Sequence, residues 1–173
     1  MMRVFLSATY EDQMDLIEEI KSKLAELGVN VIHFKNPGFY DGRTGSHAHD
    51  ICIEKVQETP NYLLIVNYRA GADYNGANPD YQELSLTHAE FQTAHSSITE
   101  NRRMYCFVRR KVMDLYNIWR EMSERNEDTS VLGVEPKAFQ LIDDMQRKGV
   151  WIDSFQHSLE LKEILTAKEF AED

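Results

Sequence analysis

Tyr62-Leu63-Leu64-Ile65-Val66 is the most hydrophobic run in the chain, and it shows no alternation of apolar and polar side chains. A strand with one wet face alternates with period two, whereas a strand covered on both faces reads as a continuous apolar run. The run therefore predicts a central strand with helices packed above and below it. Parallel neighbours and crossover connections follow from that placement, because helices reach both faces of a sheet through βαβ units.

The flanking sequence has the segments such a sheet needs. Arg3 to Ser7 is a short apolar run turning at Ala8-Thr9, and Thr9 with Asp12 makes a capping-box signature that opens a helix. Ile17, Ile20, Leu24 and Leu27 recur at steps of three and four, forming one apolar stripe that Gly28 brings to a left-handed stop. Val29 to Phe34 is a second β-rich run. It leads into Asn36-Pro37-Gly38-Phe39-Tyr40-Asp41-Gly42, whose glycines and proline continue neither regular structure. A helix is expected from near Ser46 to Thr59-Pro60, with Ile51, Ile53 and Val56 as its apolar residues.

After the central run, Asn67 to Leu84 carries Gly71, Gly76, Asn78 and Pro79 and reads as a second long loop. A helix from about Ser85 or Thr87 and a strand over Met104 to Val108 come next. The last third gives a helix over Val112 to Met122, a polar break at Asn126 to Ser130, and a helix from Pro136 closed by Gly149. A fifth strand over Val150 to Phe155 and a final helix through Leu161, Ile164, Leu165 and Phe170 complete the pattern. The 173 residues fit one domain. The expected fold is flavodoxin-like α/β, with five mostly parallel strands and helices on both faces. Ligands in such sheets bind beyond the carboxyl ends of the strands where strand order reverses. Here that crevice brings together residues 7–12, 35–45 and 67–84.

A formal charge of −10 repels phosphate backbones and anionic headgroups, so neither nucleic acid nor a membrane is an expected partner. A small anionic substrate needs local cations such as Lys35, Arg43 or Arg69. No apolar run approaches the ~20 residues of a membrane span, and the opening residues lack a signal-peptide pattern, which predicts a cytoplasmic protein. Cys52 and Cys106 lack the CxxC spacing of a zinc or redox site and read as buried thiols. His47-Ala48-His49-Asp50 places its two histidines on different helical faces, and no complete ligand set such as HExxH is present, so no metal is expected. The fingerprints of P-loops, Rossmann dinucleotide sites and serine-hydrolase elbows are absent as well.

Three segments carry a resemblance to a known family. Val4-Phe5-Leu6-Ser7-Ala8-Thr9-Tyr10-Glu11-Asp12 resembles the opening "VFxSSTYxD" of a bacterial TIR-like family described only as a domain of unknown function. Tyr62 to Gly71 is similar to that family's third strand and following "RYG" turn, and Ser85-Leu86-Thr87-His88-Ala89-Glu90-Phe91 to its "SxTExEY" helix start. The resemblance covers roughly residues 3 to 109. Ala8 stands for a serine, Ala70 for the tyrosine of the turn, and His88 for an acidic residue.

In TIR domains that hydrolyse NAD, the catalytic carboxylate is a glutamate in the helix after the third strand, and the matching residue is Glu90. Breaking the nicotinamide N-glycosidic bond develops positive charge on the ribose, which a fixed carboxylate stabilises. Thr87 with Glu90 is also a capping box, so a purely local role for Glu90 stands beside the catalytic one. Around it, Ser7, Thr9 and Tyr10 are candidates to bond ribose or phosphate, Phe39 and Tyr40 to stack on a base, and Arg69 to pair a phosphate. Turn, cap, anchor and surface roles are their ordinary alternatives.

The resemblance implies an NAD glycohydrolase or ADP-ribose cyclase of anti-phage immunity, active as a homo-oligomer and signalling to a partner effector, with NAD as substrate and no cofactor. A non-catalytic TIR-like interaction module is the second expectation. A nucleoside deoxyribosyltransferase-like enzyme, using Glu90 as nucleophile, is the third. Whether Glu90 faces a cleft or serves only its own cap separates the first two.

Overall fold

The computed structural model describes residues 1–9, 11–42, 47–99 and 101–172. Five strands, β1 (Arg3–Ala8), β2 (Asn30–Ile32), β3 (Asn61–Val66), β4 (Arg103–Arg109) and β5 (Ile152–Phe155), form one sheet in the order β2-β1-β3-β4-β5. Every pairing is parallel. The helices are α1 (Met14–Glu26), α2 (Ala48–Glu58), α3 (Leu86–Ser96), α4 (Arg110–Glu124), α5 (Pro136–Arg147) and α6 (Ser158–Thr166). This is the flavodoxin-like arrangement, and no described helix is long and apolar enough to cross a membrane.

The central run behaves as its composition requires. Tyr62, Leu64 and Val66 enter the core under α2, α3 and α5, with Ile51, Phe91 and Phe139. Leu63 and Ile65 enter the opposite core, between the sheet and helices α1 and α6, with Ile17, Leu24 and Leu161. Both sets of alternate residues are buried, so the strand needs no polar face. Switching from β2-β1 to β3 at the sheet's centre opens the crevice between the carboxyl ends of β1 and β3.

Several element boundaries differ from expectation, each for a local reason. Helix α1 begins at Met14, five residues after Thr9, with Gln13 in the cap position and no side-chain cap bond. Thr9 Oγ1 instead donates to Asp12 Oδ1 at 2.6 Å, and Asp12 Oδ2 accepts the Arg69 backbone N–H at 3.3 Å. The Thr9–Asp12 pair thus stitches the β1 turn to the β3 loop rather than capping a helix. Strand β5 starts at Ile152, leaving Trp151 79% exposed at the sheet's edge. Helix α6 ends at Thr166, and Phe170 packs edge-on to Tyr105 from beyond it, ring centroids 5.4 Å apart. The expected start of α2 at Ser46 falls outside the described residues, among which the helix opens at Ala48 with His47 as its cap.

Candidate active site

The crevice is built by the ends of β1 and β3 and the start of α3. Ser85 caps α3, its hydroxyl accepting the His88 N–H at 3.2 Å. Glu90 therefore lies in the second turn, beyond the reach of a cap. The capping box expected between Thr87 and Glu90 is not formed. Helical spacing places Thr87, Glu90, Phe91 and Ala94 on one buried face toward the sheet. His88 turns the other way and bonds Asp144 of α5 at 2.9 Å, with Gln92 donating to the same carboxylate at 3.2 Å, which fixes α3 against α5.

Glu90 reaches across to β1, where the buried Ser7 hydroxyl donates to its Oε2. The glutamate is only 6% exposed. Burial pushes its carboxyl up to about 8, against the Ser7 hydrogen bond that favours the ionised form. Three neighbours feel its charge: Tyr40, Cys52 and Tyr62 are each raised first by their own burial, with Glu90 adding to the effect. The fully buried Tyr62 hydroxyl lies close to Ser7 but finds no well-aligned hydrogen-bond partner among the described residues. It is an unmet polar atom in the immediate surroundings of the carboxyl.

A cleft of about 530 Å³ opens over this group, with Thr9, Lys35, Tyr40, His49, Cys52 and Arg69 among the residues of its wall. Ser7 and Glu90 lie behind that wall rather than on it. Of the candidates named from sequence, Thr9, Lys35, Tyr40 and Arg69 share the cleft. Arg69 pairs with Glu11 at 2.9 Å, both side chains well exposed. Phe39 packs into the core against Phe5, ring centroids 6.3 Å apart, so of the two loop aromatics only Tyr40 faces the cleft. Tyr10 and Arg43 lie outside the described residues.

The loop after β3 is held tightly to this wall. Glu135 accepts the Ala70 N–H at 2.8 Å, and Gly71 adopts φ +83°. A Cβ on Gly71 would stand 3.2 Å from Thr9 Cγ2 and 3.3 Å from Thr87 Oγ1. Gly71→Ala is therefore expected to lower stability by about 1–3 kcal/mol, through left-handed strain and the forced retreat of Thr9 and Thr87. Urea unfolding measures it, and an unchanged midpoint would show that the loop is not clamped there.

Two residues of the site were not singled out by sequence reasoning. Tyr62 reads as core strand, and only the position of its hydroxyl reveals it. His49 reads as half of a rejected metal pair. Among the described residues no group of three or more His, Cys, Asp and Glu is placed to hold a metal ion.

The family model of a domain of unknown function, DUF4062, matches residues 3–168. The chain belongs to this family. The match extends past the three resembling segments to include α4, α5, β5 and α6, so in this DUF4062 chain the carboxyl-terminal elements are part of the family's domain. The family's description does not mention TIR domains. No curated protein matches. Among solved structures the chain is similar to Clostridium botulinum CMP N-glycosidase, BcmB, with a TM-score of 0.52 at 16% identity, covering 95% of this chain and 97% of that one. At that identity the likeness establishes a shared fold.

Proposed function

We propose that this DUF4062 chain cleaves the N-glycosidic bond of a nucleotide, with NAD as substrate and Glu90 as the carboxylate that meets the ribose. The observation that carries the reading is the setting of Glu90. It is buried beneath the β1/β3 crevice, bonded to Ser7 on the neighbouring strand and not to its own helix cap. A surface glutamate serving a helix has no reason to pay the desolvation that this one does. That also weighs against a purely non-catalytic interaction module.

In the reaction, the bond between ribose C1′ and the nicotinamide nitrogen breaks with its electron pair going to the ring. Nicotinamide leaves neutral and needs no acid. The ribose becomes oxocarbenium-like, and the Glu90 carboxylate, oriented by Ser7, stabilises it. Water adding at C1′ with loss of a proton gives ADP-ribose, whereas attack by an atom of the same molecule gives a cyclic product. Tyr40 stacks on a base, and Arg69 exchanges Glu11 for a phosphate. NAD is consumed, so no cofactor enters.

Because Glu90 sits behind the cleft wall, the wall must shift for the ribose to reach it. Self-association completing the pocket, and a role in anti-phage immunity through a partner effector, accompany this reading through the TIR resemblance. The second reading is a nucleoside monophosphate as substrate, favoured by the fold shared with a CMP N-glycosidase. A deoxyribosyl transfer with Glu90 as nucleophile would use the same carboxylate.

The test is chromatography of NAD and of CMP incubated with concentrated protein, with Glu90→Gln as control. Nicotinamide appearing only with the wild type supports the proposal. Cytosine from CMP without nicotinamide moves the substrate to the second reading, and no base from either overturns both.

A further inference from the structure

His49 stands on the cleft wall at the start of α2 with its ring chemistry already determined. Its Nδ1 accepts the Asn75 backbone N–H at 3.2 Å. An amide N–H can donate only to an unprotonated ring nitrogen, so the neutral imidazole carries its proton on Nε2. Burial, and then the neighbouring His47, hold its pKa below the usual value, consistent with the neutral form. Nε2–H bonds no described residue. The ring is also fixed in place, tilted against Tyr74 at 5.9 Å and edge-on to His47 at 5.1 Å.

The same wall carries Lys35 and Arg69, so its nitrogen groups are donors without an acceptor function. Of the two carboxylates that share the wall, Glu11 pairs with Arg69, which a phosphate would displace, and Glu135 accepts the Ala70 N–H. Ribose hydroxyls and base amides present both donors and acceptors, whereas an ionised phosphate ester presents acceptors alone. The three nitrogen donors of the wall match the phosphate, while its Thr9, Tyr40 and Thr87 hydroxyls, which both donate and accept, match the rest of a nucleotide. Ala48, the first residue of the eleven-residue helix α2, adds the partial positive charge of a helix start to that side. On a chain of net charge −10, only such a local set can hold an anion.

We propose that His49 is a phosphate-binding residue of the cleft it shares with Lys35 and Arg69, donating from Nε2 to a phosphate oxygen of the nucleotide. The inference rests on the nucleotide reading of the cleft and deepens it, making the substrate a phosphorylated nucleotide rather than a nucleoside. His49 also tethers the loop at Asn75, so simple truncation would confuse two roles. His49→Asn keeps an oxygen at the Nδ1 position for the Asn75 N–H and loses the Nε2 donor. His49→Gln keeps a donor near the Nε2 position.

Titration calorimetry with ADP-ribose and with adenosine, which lacks phosphate, reads both variants without turnover. The expected result is that His49→Asn weakens ADP-ribose binding about tenfold or more and leaves adenosine binding within about twofold, while His49→Gln retains most of the ADP-ribose affinity. Wild-type affinity in His49→Asn overturns the inference, as does equal weakening for adenosine, or loss in His49→Gln equal to that in His49→Asn. If wild-type protein binds neither ligand and releases no base, the nucleotide reading fails first. If it binds and cleaves but ignores His49, only this inference fails.

Discussion

Glu90→Gln is expected to melt about 5–10 °C above the wild type at pH 9 while releasing nicotinamide on the order of a thousandfold more slowly. The gain in stability follows from burial. An unfolded glutamate titrates near 4.5, and in the folded protein the carboxyl titrates at about 8. Between those values the folded state holds a proton that the unfolded state has released, so stability falls as pH rises across the window and levels off above 8. At about 1.4 kcal/mol per pH unit, the wild type loses several kcal/mol from this group alone. Glutamine has the same shape, carries no charge and loses nothing. Other groups titrate in the same range, but they are common to both proteins and cancel in the difference. Thermal melts at pH 4, 7 and 9 should therefore show the two curves together at pH 4 and apart at pH 9. Curves that run parallel throughout would mean the carboxyl is not desolvated by folding. The loss of activity comes from the same substitution, because an amide cannot stabilise a cationic ribose as a carboxylate does. The two outcomes together would mark Glu90 as a residue kept for chemistry at a cost in stability.

What could be read in the sequence, and what could not, divides along a physical line. The unbroken apolar run of β3 has one structural meaning, coverage on both faces, and from it the parallel sheet and its central crevice followed. Glu90 was singled out because the start of its helix resembled a known motif. Helix caps were less determinate, because the signature is degenerate: Ser85 stands three residues before His88 just as Thr87 stands three before Glu90, and only packing of α3 on the sheet decides between them. Thr9 and Asp12 carried a capping spacing as well, yet Asp12 is drawn to the Arg69 backbone, a partner 57 residues away. Phe39 and Tyr40 are adjacent aromatics in an irregular loop, where no period says which one turns inward. His49 was legible as a residue but not as a donor, since its tautomer is fixed by Asn75, 26 residues further along the chain.

Ser7→Ala should move the pH dependence of NAD cleavage rather than simply scale it. Glu90 must be ionised to stabilise the ribose cation, so kcat/KM rises with pH and bends over at the free protein's carboxyl pKa of about 8. At pH 7 only about a tenth of the protein is then in the reactive form. The Ser7 hydroxyl is the group that favours the ionised state, and removing it lets burial act unopposed. The bend moves to higher pH, and a bend displaced by one pH unit lowers kcat/KM at pH 7 about tenfold, with recovery toward pH 9. A Ser7 that only touched substrate would give a lower rate at every pH with the bend unmoved, so the two roles separate in one titration. Substrate binding adds a second signature. The nicotinamide ring of NAD is cationic, and bringing it beside the carboxyl lowers the pKa in the complex, so the bend in kcat lies below the bend in kcat/KM. A neutral leaving base has no such charge and would leave the two bends together, which makes the spacing of the bends a measure of the substrate's charge as well as of the residue that meets it.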